Sequence, residues 1–540
     1  MVVLQPVLNI EDIKSVERNL ASAGVSISEL MHRAGAAAAQ EVMSMESVKS
    51  VAVLVGFGNN GGDGWVAASV LKKNGFNVKI ISPIPLDQLT GDLCRVVAAA
   101  ARNNDIEIIV APPREELEDI LYGADVVLDA IFGTGFHGIV EAPFDIWIDT
   151  VNTSGCRVVS VDVPSGLSAQ TGHAANTCIV ADETVTMLAL KPGLLADEAR
   201  DVCGNIVVAP LAEQTEQLVL EADPVAWRSE APDYFGVIGT PTAAQDKYSR
   251  GSVLVVAGSA RYPGAAIMAA KAAARSGVGY VTLAVPACIV PVVQSHLLSI
   301  PVVGLASDER GMFASEAVGE AGRLAEKHDS VLVGCGMGVS AACTALVTKL
   351  LETNVPLVVD ADGLNCIARL CDNRLDNFPE LIRRTSPLIF TPHAKELGRL
   401  MGLCDTPPNS LTSSLEAARR IVWANGGSEF VIMAKGSATA CVAVEVALLP
   451  KPGPECLATT GSGDVLAGLV TGLLAHNKPE IEDLPLLCAL AVETHGCAAA
   501  LAAKRFGSQG VVATDIIDEI GVAIDTMYQH AAWSYDYMSE

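Results

Sequence analysis

The stretch "VAVLVGFGNNGGDG" (residues 51–64) joins an apolar run to a loop that is rich in glycine. An uninterrupted apolar run of this length predicts a β-strand that is buried on both faces, as in a parallel sheet. Gly56, Gly58 and Gly61 satisfy the pattern G-x-G-x-x-G that follows the first strand of dinucleotide-binding folds. The stretch therefore predicts a doubly wound α/β domain with a ligand-binding loop after its strand.

Apolar runs of strand length alternate with helical segments along most of the chain. In the first half these runs are 51–55, 78–82, 106–110, 126–131, 157–161 and 206–209, with helical periodicity at 63–74, 87–102 and 114–122. The alternation stops at 229–251 and resumes with runs at 253–257, 280–285, 331–334, 357–360, 388–391 and 430–434. A chain of 540 residues is too long for one ordinary core. We therefore predict two α/β domains, residues 1–222 and 223–540, each with its own sheet.

The composition excludes some classes of partner. A net charge of −26 disfavours nucleic acid, because binding to phosphate backbones depends on Lys and Arg. The 14 cysteines form no C-x-x-C pair, which is typical of reduced core cysteines in the cytoplasm. No basic segment leads into an apolar one at the N-terminus, and Glu493 and His495 interrupt the apolar stretch 485–503. We predict a cytoplasmic protein that binds neither nucleic acid nor a membrane.

The glycine loop at 56–64 does not meet the full requirement for a resting NAD cofactor. Such a site needs a carboxylate at the end of the next strand, about 20 positions further on. Ser82 and Pro83 stand there, and Asp87 comes too late. No Gly-Lys-Ser/Thr follows the loop either, which excludes a P-loop. A tight turn that is capped by Asp63 remains an alternative for this loop.

Two further loops after strands combine glycine with a carboxylate, "DAIFGTGFHG" (129–138) and "DVPSG" (162–166). With "GNNGGDG" and "LALKPGLL" (188–195), they resemble the NAD(P)H-hydrate epimerase family over about residues 8–215. The resemblance implies a substrate that is a damaged dinucleotide, hydrated at C6 of the nicotinamide ring. In open parallel sheets, ligands bind outside the carboxyl ends of the strands, where these loops would meet.

The resemblance also implies site residues for the first domain. Those that surround the substrate are Asn59, Asn60, Gly61, Gly62, Asp63, Gly133, Thr134, Gly135, Phe136, His137, Gly138, Ile139 and Asp162. Those that hold a potassium ion are Asn60, Asp129 and Ser165. Our hypothesis for the general acid/base is Asp162, because epimerisation at C6 requires proton transfer and reversible loss of the hydroxyl. As a lone histidine, His137 is more often structural or solvent-facing than catalytic.

In the second half, "TTGSGDVLAGLVTGLLA" (459–475) leads from small residues into an apolar helix. Free amides at such a helix start bind phosphate, and Asp464 is either an N-cap or a base. This stretch and the motifs before it resemble the ribokinase-like fold and, within it, the ADP- or ATP-dependent NAD(P)H-hydrate dehydratase family. The resemblance covers about residues 245–525. The motifs are "YSRGSVLVVAGS", "YPGAA", "GCGMG", "VDADGLN", "TPHAKE", "AKGSAT" and "GSGDVLAG".

That resemblance implies the residues of a second site. The hydrated dinucleotide would contact Ala266, Gly338, His393 and Asp464, and the adenine nucleotide would contact Lys435, Gly436, Ser437, Ala438, Thr439 and Gly463. Asp464 would be the catalytic base, and Mg²⁺ would accompany the nucleotide. The chain departs from the family at Cys335, where proline is more common, and at "HAKE" in place of His-Pro-Gly-Glu.

Together the two resemblances predict a Rossmann-like epimerase domain fused to a ribokinase-like dehydratase domain. The first interconverts the R and S hydrates, and the second phosphorylates the C6 hydroxyl of the S form with ADP or ATP and eliminates phosphate. An alternative is a sugar or vitamin kinase of ribokinase-like fold, whose first domain is accessory or a scaffold. The family implies assembly into homo-oligomers.

Overall fold

A computed structural model describes residues 4–539, apart from 90, 239–245, 248, 373–383, 426 and 428. The chain forms two compact units, Gln5–Val225 and a second that begins at Ala226. The predicted boundary at 222/223 falls between the last helix of the first unit and the first strand of the second. Part of the predicted linker at 229–251 lies outside the described residues.

The first unit contains a seven-stranded sheet in which every pair of neighbours is parallel. The unit's helices and strands are β1 Gln5–Val7, α1 Ile10–Ser22, α2 Ile27–Ser44, β2 Ser50–Val55, α3 Asn59–Lys73, β3 Asn77–Ser82, α4 Asp92–Asn103, β4 Glu107–Val110, α5 Arg114–Tyr122, β5 Val126–Ala130, α6 Phe144–Ser154, β6 Arg157–Val161, β7 Glu183–Met187, β8 Asn205–Ala209 and α7 Thr215–Glu221. The sheet order is β4-β3-β2-β5-β6-β7-β8.

Strand β2, formed by the apolar run at 51–55, lies in the interior of this sheet between β3 and β5. Val53 and Val55 pack into the core on one face, and Ala52 and Leu54 pack into the core on the other. Helices therefore cover both faces, as the apolar run predicts. The order of the strands reverses between β2 and β5, and in open α/β sheets this reversal opens a crevice for ligands. The predicted doubly wound, Rossmann-like fold is confirmed.

Strand β7 is absent from the sequence prediction. Its buried residues include Thr184 and Thr186, which break the apolar pattern used to find the other strands. Thr184 Oγ1 donates a hydrogen bond to the carbonyl of Cys203 at 2.7 Å, and Thr186 Oγ1 accepts one from Lys191 Nζ at 2.7 Å. Both hydroxyls are therefore satisfied inside the core, which makes their burial tolerable.

The second unit contains a larger sheet. The described helices and strands of this unit are β9 Ala226–Arg228, β10 Ser252–Val256, α8 Pro263–Arg275, β11 Tyr280–Pro286, α9 Val290–Gln294, β12 Val302–Leu305, α10 Ala317–Ala325, β13 Ser330–Val333, α11 Ala341–Leu351, β14 Leu357–Val359, α12 Asp362–Leu370, β15 Leu388–Phe390, α13 Ala394–Leu400, α14 Leu411–Asn425, β16 Phe430–Ala434, β17 Ala440–Val442, β18 Ala447–Leu449, α15 Ser462–Asn477, α16 Leu484–Phe506 and α17 Ala513–Ser539. The order of these strands is β9-β18-β17-β16-β15-β14-β13-β10-β11-β12.

The central strands of the second sheet are parallel, and β17 joins them antiparallel to β16. Each of the six apolar runs predicted for this half forms a strand, while β9, β12, β17 and β18 were not predicted. The order reverses between β10 and β13, so the loops after these strands flank the crevice. The predicted ribokinase-like α/β fold is confirmed.

Helix α15, which begins at the predicted phosphate-binding turn, packs against α8 without intervening side chains. A Cβ on Gly468 would lie 2.2 Å from the carbonyl oxygen of Ala269, and one on Gly472 would lie 1.9 Å from Ser276 Oγ. These glycines are one helical turn apart on one face, so they let the two helices approach closely. The position of the first turn of α15 is therefore set by contacts with α8.

One helix is long and apolar enough to cross a membrane by length and composition, the segment 481–506 that includes α16. In the described structure, 67% of its most apolar window is buried inside the protein, including Leu487, Cys488 and Leu490. The segment is therefore a core helix, as the sequence predicts. All 14 cysteines are free, and Cys335, Cys366 and Cys488 are buried as predicted.

Candidate active sites

The loops that follow β2, β5 and β6 meet at the carboxyl edge of the first sheet. Gly133, in the loop after β5, marks the meeting point. A Cβ on Gly133 would lie 3.0 Å from Asp162 Oδ2 and 3.2 Å from Asn60 Oδ1. The structure thus brings together Asn60, Gly133 and Asp162, one residue from each predicted loop.

Asp162 is the residue of this site with the best-defined surroundings. Its Oδ1 accepts a hydrogen bond from Lys191 Nζ at 2.7 Å, and its Oδ2 accepts one from the backbone N–H of Thr134 at 2.9 Å. Its backbone is held at φ +71°, a conformation that side-chain-bearing residues rarely adopt. Burial opposes its ionisation, but the charge and hydrogen bond of Lys191 and the amide of Thr134 bring the pKa of Asp162 below its usual value.

Asp129 forms a separate buried cluster with the loop after β6. Its carboxylate accepts hydrogen bonds from Ser165 Oγ at 2.5 Å, the Ser165 backbone N–H at 2.9 Å and Ser160 Oγ at 2.8 Å. Burial raises the pKa of Asp129, and these hydrogen bonds oppose the shift. The Ser165 hydroxyl also accepts from the backbone N–H of Phe132 at 2.8 Å, which links this cluster to the loop after β5.

Among the described residues, the amide of Asn60 at this edge is buried and unpaired, and the potassium site stays a prediction. Asn60 is 8% exposed, and within the described part of the chain neither polar atom of its amide has a hydrogen-bond partner. An unpaired buried amide oxygen calls for a partner that the protein itself does not supply. Asn60, Asp129 and Ser165 offer only oxygen ligands besides the amide nitrogen, the type that hard cations prefer.

The predicted substrate loop 133–139 contains half-buried and exposed residues. Thr134 donates to Asp162, whereas His137 and Ile139 are exposed, Ile139 by 73%. Asn59 is exposed at the start of α3, and Asp63 lies one turn further along the helix. These residues, with Gly61, Gly62, Gly135, Phe136 and Gly138, stay predictions as substrate contacts.

The turn into α3 depends on a glycine at position 61. A Cβ on Gly61 would lie 2.2 Å from the carbonyl oxygen of Gly56, and this backbone atom has little freedom to move. We expect Gly61→Ala to lower the free energy of unfolding of the first unit by about 3 kcal/mol. The matched control is Gly58→Ala, because nothing lies within 4 Å of a Cβ there and its φ is −93°. Denaturant unfolding followed by circular dichroism measures both. Equal losses for the two variants would contradict this account.

The second site is built around the first turn of α15. Asp464 lies there, and its carboxylate, the Cys335 thiol and the Asp360 carboxylate have atoms within 4.8 Å of one another. Burial and the charge of Asp360 raise the pKa of Asp464 to about 6, against the lowering effects of Cys335 and Lys435. Asp464 is therefore poised between its protonated and ionised forms near neutral pH.

A buried ion pair lies beside Asp464. Lys435 Nζ and Thr391 Oγ1 donate hydrogen bonds to Asp360 Oδ1 at 2.7 and 2.6 Å, and the Cys335 thiol lies 3.7 Å from Asp360 Oδ2. Burial opposes the charge on Lys435, but Asp360 and Glu396 raise its pKa above the usual value. Asp360 is thus paired with the amine of Lys435. Of the two carboxylates, only Asp464 remains free to accept a proton from a ligand.

His393 caps the start of helix α13. Its Nδ1 accepts hydrogen bonds from the backbone N–H groups of Lys395 and Glu396 at 3.1 and 3.3 Å, which leaves the proton on Nε2. Burial and the nearby charges of Lys435 and Arg399 lower the pKa of His393. The half-exposed ring is therefore neutral with its proton on Nε2, which lies 3.4 Å from Glu396 Oε1.

The glycine loop after β13 and the first turn of α8 are the other predicted contacts. Gly338 is held at φ +77°, and its backbone N–H donates to Asp362 Oδ2 at 2.8 Å. Ala266 has no exposed surface and packs near Gly258, whereas Gly264 in the same turn is exposed. The turn therefore presents Gly264 to solvent, and a contact through the Ala266 side chain has no room in this structure.

The nucleotide loop follows β16. Gly436 and Ser437 are exposed, and Thr439 Oγ1 donates to the carbonyl of Gly436 at 3.2 Å. Gly463 belongs to the same region, since a Cβ on it would lie 3.4 Å from Lys435 Nζ. The free amides at the start of α15 therefore lie beside the amine of Lys435, and both the amides and the amine attract phosphate.

Lys191 and His495 were not predicted as site residues, whereas Glu396 belongs to the predicted motif "TPHAKE". Lys191 in the first unit is fully buried, and Glu396 and His495 in the second are also buried. Burial raises the pKa of Glu396 to about 7, and burial with the charge of Lys435 lowers the pKa of His495 to about 4. The neutral ring of His495 lies 3.3 Å from the Ser462 hydroxyl at the start of α15. The position of Lys191 in the quoted motif "LALKPGLL" was the one available signal.

Two family profiles match the two halves of the chain. The profile of the family described as NAD(P)H-hydrate dehydratase matches residues 253–521, and that of the family described as YjeF-related protein N-terminus matches residues 27–193. A structure of the ADP/ATP-dependent NAD(P)H-hydrate dehydratase from Bacillus subtilis, co-crystallised with ATP and Mg²⁺, covers 55% of this chain and 97% of its own. That pair has a TM-score of 0.45 and 22% identity.

Two curated relatives match over nearly their whole lengths. The bifunctional NAD(P)H-hydrate repair enzyme Nnr of Coxiella burnetii is 32% identical over 528 residues, which cover 95% of this chain and 98% of the relative. The enzyme of the same name from Salinibacter ruber is 32% identical over 548 residues, covering 95% of each chain.

Fold and sites define a fusion of a Rossmann-like unit, which carries an acidic glycine-loop crevice, with a ribokinase-like phosphoryl-transfer unit. The relatives above identify one family within this class of protein. The chain belongs to the family of bifunctional NAD(P)H-hydrate repair enzymes.

Proposed function

We propose that this chain restores NADH and NADPH from their C6 hydrates. The first unit interconverts the R and S epimers, and the second phosphorylates the C6 hydroxyl of the S form with ADP or ATP and then releases phosphate. Hydroxide is a poor leaving group and phosphate a good one, so the phosphorylation makes the elimination possible. The observation that carries the proposal is the position of Asp464 at the first turn of α15, close to Asp360 and beside the turn whose Gly463 lies next to the amine of Lys435.

In the second unit, Asp464 takes the proton of the C6 hydroxyl as that oxygen attacks the terminal phosphoryl group of the nucleotide. The amides at the start of α15 and the amine of Lys435 stabilise the negative charge on the transferring group. Residues 435–439 and Gly463 line the nucleotide, whose phosphates a Mg²⁺ ion screens. Gly338, His393 and the turn that contains Ala266 bind the hydrated dinucleotide.

In the first unit, Asp162 exchanges protons with the substrate. Asn60, Asp129 and Ser165 hold a potassium ion, and the unpaired buried amide of Asn60 supports this assignment. A bound potassium ion supplies positive charge that offsets the acidic loops beside a diphosphate. Asn59 to Asp63 and residues 133–139 surround the substrate, with the Thr134 amide fixing the carboxylate of Asp162. We further propose a cytoplasmic homo-oligomer whose ligands are small molecules.

The pKa of Asp464 predicts how the dehydratase depends on pH. As a base, Asp464 must be ionised, and with a pKa of about 6 it is mostly ionised at pH 7 and about one-tenth ionised at pH 5. We therefore expect kcat/KM with the S hydrate to fall about fivefold between pH 6 and pH 5. Initial rates with saturating ATP between pH 5 and 8 measure this. A flat profile down to pH 5 would exclude Asp464 as the base.

One assay tests the function as a whole. Purified S hydrate is incubated with the full chain and ADP or ATP, and the recovery of dihydronicotinamide absorbance is followed with inorganic phosphate release. Equal amounts of the two products support repair. A stable phosphorylated small molecule with no recovered cofactor would instead identify a ribokinase-like kinase. The R hydrate, supplied alone, reports on the first unit, because the dehydratase uses it only after epimerisation.

A further inference from the structure

Lys191 is a fully buried cation that the proposed mechanism leaves without a role. Its side chain has no exposed surface, and its three donors are all used. They reach Asp162 Oδ1 at 2.7 Å, Thr186 Oγ1 at 2.7 Å and the carbonyl of Met187 at 2.8 Å. A lysine held this completely cannot contact substrate, so its effect on the reaction must act through Asp162.

The crevice holds a second carboxyl group, Asp63, with the opposite surroundings. Asp63 lies three residues after Asn60 on the same face of α3, and Asn60 Oδ1 lies beside the point where Asp162 approaches Gly133. Among the described residues, no cation pairs with the Asp63 carboxyl and no hydrogen-bond donor reaches it. Its charged neighbours are Asp162 and, from helix α1, Glu17.

We propose that Lys191 divides the acid–base chemistry of this crevice between two carboxyl groups. By pairing with Asp162 it keeps that residue as the ionised group that accepts a proton, and it leaves Asp63 as the group that donates one to the C6 hydroxyl. Lys191 is in this sense a positioning residue, and Asp63 a catalytic one. The inference rests on the proposed epimerase activity.

The pKa shifts of the two groups agree with the geometry. Burial raises the pKa of Asp63 well above its usual value, and the charges of Asp162 and Glu17 raise it further. Lys191 and Thr134 lower the pKa of Asp162 in spite of its burial. The one other titratable group that faces Asp63 among the described residues is the Cys94 thiol on α4, which is itself more difficult to ionise than usual. Two carboxyl groups whose surroundings separate their pKa values in this way can serve as acid and base.

The step balances with these two residues alone. Asp63 transfers its proton to the C6 oxygen, the C6–O bond breaks, and water leaves while the lone pair on N1 forms an N1=C6 iminium. Water then adds to the opposite face, the N1=C6 electron pair returns to N1, and the proton that the water loses passes to Asp162. Exchange with solvent returns Asp162 to its ionised form and Asp63 to its protonated form.

The test is the pH profile of epimer interconversion in the full chain, without nucleotide so that the dehydratase stays idle. The uncatalysed rate is subtracted, and R and S hydrates are separated by chromatography. For Lys191→Met we expect the acidic limb to move up by at least one pH unit, with the largest loss of rate at the lowest pH and a smaller loss at higher pH. Lys191→Arg, which keeps the charge, should leave that limb in place. The matched control is Lys73→Met, an exposed lysine at the end of α3.

For Asp63→Asn we expect a loss of about 100-fold at every pH, with the KM for the hydrate changed less than threefold. Epimerisation in water enriched in heavy oxygen should label the C6 hydroxyl of the product in the wild-type chain. A Lys191→Met profile with an unshifted acidic limb would show that Lys191 is merely structural and overturn the proposal. An Asp63→Asn rate within threefold of wild type would also overturn it, as would an unlabelled product.

The variants also separate this inference from the proposed function. A wild-type chain that does not interconvert the epimers refutes the epimerase activity itself. A wild-type chain that does so, with unaffected variants, refutes the inference alone. If Lys191→Met fails to fold, as judged by thermal unfolding, the Asp63→Asn rate and the labelling experiment still decide.

Discussion

Replacing Asp464 with alanine is expected to lower nucleotide-dependent recovery of NAD(P)H from the S hydrate by about 1000-fold or more. Asp464 is the base that lies at the phosphate-binding turn of α15, and the nearby Asp360 cannot replace it. Asp360 is held by Lys435 and Thr391 at hydrogen-bonding distance, so its charge is already neutralised. Initial rates of absorbance recovery with ATP, and separately with ADP, measure the effect.

The matched control for this experiment is Asp525→Ala, which removes an exposed carboxylate from α17 in the same unit. We expect its rate to stay within twofold of wild type. Epimer interconversion should be unchanged in both variants, since it belongs to the other unit. An Asp464→Ala variant that retains a tenth of the wild-type rate would exclude the carboxylate as the base.

Replacing Asp162 with asparagine is expected to slow epimer interconversion by about 100- to 1000-fold. The amide removes the negative charge that exchanges protons with the substrate, while its oxygen can still accept the hydrogen bond of Lys191. Some stability will be lost, because Lys191 is left buried without a counter-ion, and such losses reach about 3–5 kcal/mol. Chromatographic separation of the epimers gives the rate, and thermal unfolding shows how much of the variant is folded at the assay temperature.

Asp92→Asn is the control for this variant, since Asp92 forms an exposed ion pair with Arg95 that contributes little to stability. The dehydratase rate with purified S hydrate is the internal control and should match wild type. If Asp162→Asn interconverts the epimers at the wild-type rate while folded, another group carries the proton. Asp63 would then be the next residue to test.

The sequence predicts the parallel strands well because their side chains face apolar cores on both sides. Strand β2 shows this, since every residue from Val51 to Val55 is buried. A search for apolar runs does not find β7, because Thr184 and Thr186 are equally buried but polar. Their hydrogen-bond partners, Cys203 and Lys191, lie outside the strand, and a pattern read along the chain does not contain them.

Site residues could be predicted where a motif lies within one loop. They were harder to predict where a side chain depends on a partner far away in the sequence. Asp162 and Asp464 follow from their motifs, but Lys191 is a partner of Asp162 from 29 positions further on. Nothing in its local sequence separates a fully buried lysine from an exposed one. The Ala266 assignment shows the limit within a helix. A shift of one residue turns a side chain by about 100°, enough to move it from ligand to core.

The close packing of α8 on α15 has a consequence for how accurately the second site can work. The substrate turn begins one of these helices and the proposed base begins the other, and backbone atoms at Gly468 and Gly472 hold the pair together. The distance between the substrate turn and the base is therefore set by the close approach of these glycines to the Ala269 carbonyl and the Ser276 side chain. A methyl group added at Gly468 or Gly472 would push α8 and α15 apart. It would thereby change the distance between the substrate and Asp464 without contacting either of them.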